Sequence, residues 1–72
     1  MSESTIEVRL NGDPIPCPAG LSLLQLLELR GYKPQLVVVE FNGEILPRAC
    51  WVDQPVREAD AVEVVTIVGG GS

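Results

Sequence analysis

The 72-residue chain has no histidine, and its five lysines and arginines are outnumbered by ten aspartates and glutamates. Without imidazole it lacks the side chain that most readily moves protons near neutral pH. A net charge of −5 argues against nucleic acid or an anionic membrane as a partner and suits docking on a basic surface. Cysteine is scarce too. Cys17 and Cys50 lie too far apart for a metal-ligand spacing, and two thiols cannot supply the four ligands of an iron–sulfur cluster. No apolar run approaches the ~18 residues of a membrane span. Met1–Thr5 is polar and carries Glu3, unlike a signal peptide, so the expected location is the cytoplasm, where both cysteines are expected as free thiols. What is present fits one small domain: 46% hydrophobic and 21% charged residues are globular composition, not disorder.

The periodicities switch along the chain. In "IEVRLNG" at 6–12, Ile6, Val8 and Leu10 alternate with Glu7 and Arg9, the pattern of a half-buried strand. Asn11-Gly12 supplies the positive-φ pair of a tight hairpin. The return stretch "DPIPCPAG" carries Pro14, Pro16 and Pro18, which remove donors from one side and so predict an edge strand. "LSLLQLLELRG" at 21–31 has helical spacing. Ser22 is the expected N-cap with Gln25 as its capping-box partner, Leu23, Leu26 and Leu27 share a face flanked by Leu24 and Leu29, and Gly31 and Pro34 end it after about three turns. "QLVVVEFNG" at 35–43 predicts a strand and a second tight turn, followed by a short return strand at "EIL". Residues 48–60 are expected to be irregular, with one helical turn near Trp51, and "AVEVVTIV" at 61–68 is the last strand. One helix cannot cover both faces of the sheet, which makes this an α+β two-layer domain. The simplest packing is a β-grasp, or ubiquitin-like, fold. It has a mixed sheet of four to five strands with one helix across it, and the last strand lies centrally, parallel to the first. Residues 1–68 form this domain and 69–72 a flexible glycine tail.

Three stretches resemble a known family. "FNGEILPRACW" at 41–51 resembles the characteristic block of the sulfur-carrier proteins of thiamine thiazole biosynthesis, the ThiS family. "EADAVEVVTIVGGG" at 58–71 is similar to that family's last strand and tail, and "RLNGDPIPCPAGLSLLQLLELRG" fits its opening hairpin and helix. The resemblance implies that the chain is a protein co-substrate, not an enzyme. Its terminal glycine carboxylate is a poor electrophile until joined to AMP. A ubiquitin-activating-type adenylating enzyme makes that anhydride with ATP, and no cofactor is bound by the carrier itself. The resemblance further implies that sulfur from a persulfide sulfur donor displaces AMP, directly or through an acyl intermediate, that the end product is a thiocarboxylate, and that thiazole synthase takes sulfur from it. The carboxylate falls on Gly71, after Gly70. Gly69 belongs to the tail, and Ser72 stands one residue beyond the family's end, to be trimmed or extraneous. "VGGGS" lacks the lysine of a phosphate-binding loop. From Ile67 on, the tail would reach roughly 20 Å when extended.

The folded part then serves as a handle, expected to be monomeric when free. Val65 and Ile67 point away from the Val62/Val64 side and, with Val38, are the candidate apolar docking patch beside the tail. The alternatives are that the 48–60 loop covers them or that they are single apolar residues scattered on the surface. Glu40 and Glu63 share that face and would steer a basic partner. Trp51 is expected to pack rather than bind, and Arg48 to anchor the loop. Neither cysteine has a base to activate it. Rival readings are the small subunit of molybdopterin synthase, which hands sulfur to a pterin, a ubiquitin-like protein modifier, and a plain β-grasp binding module.

Overall fold

The computed structural model describes residues 5–67. The domain limit at residue 68 and the tail at 69–72 lie outside them. The elements are β1 (Thr5–Leu10), β2 (Asp13–Pro18), α1 (Leu23–Leu29), β3 (Val37–Phe41), β4 (Glu44–Ile45) and β5 (Ala61–Thr66), with 3-10 turns at Pro34–Leu36 and Arg48–Asp53. Both hairpins turn on an Asn-Gly pair with positive φ, 54° and 87° at Asn11-Gly12 and 54° and 89° at Asn42-Gly43. This is the two-residue turn whose twist matches the strands it joins.

The sheet order is β2-β1-β5-β3-β4. β5 lies in the centre, parallel to β1 and antiparallel to β3. With α1 packed on one face, this is the β-grasp arrangement. The proline-rich β2 is an edge strand, as its missing donors require. Pro14, Pro16 and Pro18 stand opposite Arg9, Glu7 and Thr5. The intervening Ile15 and Cys17 then face the core side with Val8 and Ile6.

The helix is shorter than its leucine pattern predicts. It begins as expected: the Gln25 N–H donates to Ser22 Oγ at 3.2 Å, and the Ser22 N–H donates to Gln25 Oε1 at 2.9 Å. It ends at Leu29 because Arg30 and Gly31 leave the helix, Gly31 with φ at 88°. Leu23, Leu26 and Leu27 are buried, but Leu29 points into solvent. The strand expected from Gln35 starts instead at Val37, since Pro34 sets a 3-10 turn that takes up Gln35 and Leu36.

Leu23, Leu26 and Leu27 close against Val8, Leu10, Val39 and Val62 of the sheet, with Trp51 the largest buried side chain. The Trp51 indole N–H donates to the Leu46 carbonyl at 2.9 Å, so the one polar atom of the ring is satisfied inside the core. The segment around it is more regular than expected, a six-residue 3-10 stretch in place of one turn. It is stitched to the start of the helix, where the Leu23 N–H donates to Gln54 O at 2.7 Å and the Val56 N–H to Leu21 O at 3.0 Å. The 48–56 segment therefore packs on the helix side of the sheet and leaves the other face open.

Candidate functional site

The open face follows from register. Leu10 pairs with Val62, and Val62 with Phe41, so these residues and their even-stepped neighbours face the helix. Val38 then pairs with Val65, and Glu40 with Glu63, on the outer face. Ile45 stands opposite Glu40 on the same side. One step beyond the Val37–Thr66 pair, the Ile67 N–H donates to Leu36 O at 2.7 Å, which brings Leu36 beside Ile67. Val65 is 62% exposed, Ile67 48%, Leu36 45% and Val38 36%.

The result is an apolar strip of Leu36, Val38, Val65 and Ile67 at the end of β5 from which the chain continues. Two carboxylates border it. The expected members Val65, Ile67, Val38, Glu40 and Glu63 are brought together. Leu36 and Ile45 were not anticipated: Leu36 sits in the 3-10 turn and Ile45 in a two-residue strand, and only the register places them on this face. Contiguous exposed apolar area with a polar border is the usual mark of a partner site. Glu40 and Glu63 face each other directly across two strands. Like charges so placed weaken the free domain, and a cation on a partner would relieve them.

The thiols differ. Both are free; Cys17 is buried and Cys50 exposed. Burial pushes the Cys17 thiol above its ordinary value, so it stays neutral and poorly nucleophilic. On the helix side, an open groove of about 490 Å³ runs between α1 and the 3-10 stretch, lined by Leu21, Leu24, Gln25, Val52 and Pro55 among others. It is remote from the end of β5.

Both turn asparagines bond β5, a role the sequence did not reveal. The Val64 N–H donates to Asn11 Oδ1 at 2.7 Å, and the Ala61 N–H to Asn42 Oδ1 at 2.8 Å. Gly69, Gly70, Gly71 and Ser72 lie outside the described residues, so the geometry of the site stops at Ile67.

The sequence matches the ThiS family over residues 8–71. The sulfur carrier protein ThiS of Thermus thermophilus is 39% identical over 64 residues, covering 89% of this chain and 98% of that protein. The thiazole synthase of Magnetococcus marinus is 36% identical over 66 residues, which are 92% of this chain and only 20% of that longer protein. The crystal structure of the thiamine biosynthesis protein ThiS from Geobacter metallireducens superposes with a TM-score of 0.75 at 34% identity, covering 92% of this chain and all of that one. With most of its length matched in sequence and in fold, the chain belongs to the ThiS family.

Proposed function

We propose that this protein is a sulfur carrier whose terminal glycine, Gly71, is adenylated and then converted to a thiocarboxylate that supplies sulfur for thiazole formation in thiamine biosynthesis. The observation that carries the reading is the family match, which runs to Gly71 and stops there. A carrier of this kind needs little chemistry of its own. The activating enzyme, of the ubiquitin-activating type, joins the carboxylate to AMP from ATP, which creates a good leaving group. A persulfide sulfur attacks the acyl carbon, and AMP departs. The acyl–oxygen bond to AMP is broken and an acyl–sulfur bond formed. Reduction of the sulfur–sulfur bond by a thiol then frees the thiocarboxylate.

The fold supports this division of labour. β5 leaves the centre of the sheet beside an exposed apolar strip, so a partner that grips the strip holds the start of the tail. Successive glycines let the tail enter a channel too narrow for Cβ atoms. A relative named thiazole synthase contains a segment like this chain within one polypeptide, which favours thiazole over pterin as the destination of the sulfur.

Intact-mass spectrometry tests the reading. A chain ending at Gly71, incubated with the adenylating enzyme, ATP and a persulfide donor, should exchange one oxygen for one sulfur. An unchanged mass refutes it, and conjugates of higher mass would mark a protein modifier instead. Gly71→Ala in the same chain should slow adenylation at least tenfold, since a methyl group in a tight channel misplaces the carboxylate. The melting temperature should not move. Equal rates for the two chains would remove the channel from the argument.

A further inference from the structure

We propose that Asn11 is a positioning residue for the tail, its side chain adding the last rung that holds β5 on the β1 side. The proposal rests on the reading of the tail as the working part and deepens it.

β1 pairs with β5 only through Arg9–Ala61 and Leu10–Val62. Beyond Val62 the parallel ladder would end. Asn11 extends it by one step. Its backbone N–H donates to Val62 O at 2.8 Å, and its side-chain Oδ1 accepts from the Val64 N–H at 2.7 Å. The side-chain amide takes the place of the next strand carbonyl while the backbone, at φ 54°, has already turned into the hairpin. Asparagine suits both tasks, because it tolerates positive φ and its amide mimics a peptide group. The amide nitrogen reaches the Tyr32 hydroxyl at 3.4 Å, which orients the side chain from the loop after α1.

On the opposite side of β5, the last rung among the described residues is the bond from the Ile67 N–H to Leu36 O. Asn11 and Leu36 thus hold the strand from opposite flanks, at Val64 and at Ile67. Without the Asn11 rung, β5 beyond Val62 is held on the β3 side only, and a partner must order it during binding. The penalty falls on recognition and not on the chemical step.

Asn42 provides the control. It makes the same kind of bond at the start of β5, to the Ala61 N–H at 2.8 Å, remote from the tail. The experiment compares Asn11→Gly, Asn11→Asp and Asn42→Gly in chains ending at Gly71. Both glycine variants keep the turn and delete the side-chain acceptor, and Asn11→Asp keeps turn and acceptor. Amide hydrogen exchange and ATP–pyrophosphate exchange with the adenylating enzyme are measured for each. Asn11→Gly should speed exchange at Val64 by about 5- to 10-fold and raise the KM for the carrier by a similar factor, with kcat unchanged. Asn11→Asp should restore both. Asn42→Gly should lower the melting temperature comparably and leave KM alone.

The positioning role is overturned if Val64 exchange is unaltered in Asn11→Gly. It is equally overturned if Asn42→Gly raises KM as much, or if Asn11→Asp fails to rescue. If even the unaltered chain is not adenylated, the functional reading fails and the positioning role goes with it. An unaltered chain that is adenylated, beside an Asn11→Gly chain of normal KM, removes only the positioning role.

Discussion

At the scale of single residues, burial separates two chemically identical side chains. Cys17 lies on the inner face of the edge strand β2 with its Sγ donating to Pro18 O at 3.4 Å, whereas Cys50 is exposed beside the buried Trp51. Removal from water disfavours the thiolate, so the Cys17 thiol is raised above the ordinary 9.0. The unfolded chain therefore loses this proton first. The stabilisation from the neutral buried thiol is complete below the ordinary value and is lost as pH rises through the folded one. Iodoacetamide should label Cys50 alone in the folded protein and both cysteines in denaturant. The melting temperature should start to fall above about pH 9 in the parent and less in Cys17→Ala. Rapid native labelling of Cys17 would contradict its burial.

At the scale of elements, local chemistry decides much. A helix of seven residues is far below the length that is stable alone, so its first turn depends on the reciprocal bonds between Ser22 and Gln25. Ser22→Ala should cost about 1 kcal/mol, a fall of about 4–8 °C in melting temperature for a domain of this size. Gln25→Ala should cost less, because it leaves the serine bond in place. Such features are legible in the sequence because the residues that make them are neighbours: the capping box, both Asn-Gly turns and the proline-marked edge strand. That Val38, Val65, Glu40 and Glu63 share a face was legible because strand alternation fixes each residue's side, but their pairing across β3 and β5 was not. The rest depends on contacts between distant residues. Asn11 and Val64 are 53 positions apart, and nothing local distinguishes an asparagine that only turns from one that also holds a strand. Leu36 joins the strip because a 3-10 turn delivers its carbonyl to Ile67, and Leu29 leaves the core because the helix ends there. Neither follows from spacing alone.

At the scale of the whole molecule, the two sheet faces differ in what covers them. The inner face and α1 make the core, and this leaves the outer face available for a partner at the point where the chain leaves the sheet. The Glu40–Glu63 pair tests whether that face is adapted for binding or is incidental surface. If incidental, replacing either carboxylate with its amide removes a cross-strand repulsion and does nothing else. If the pair meets a basic partner, the same change has two effects of opposite sign. The double variant Glu40→Gln/Glu63→Gln should be more stable than the parent by about 0.2–1 kcal/mol, read as a higher midpoint in urea. Its association with the proposed adenylating partner should be slower, and the remaining rate should depend less on ionic strength, because steering between opposite charges is what salt screens. Val65 and Ile67 are untouched in this variant, so the dissociation rate should change less than the association rate. A variant that gains stability and keeps the parent's salt-dependent association rate would show that the partner does not meet these two carboxylates.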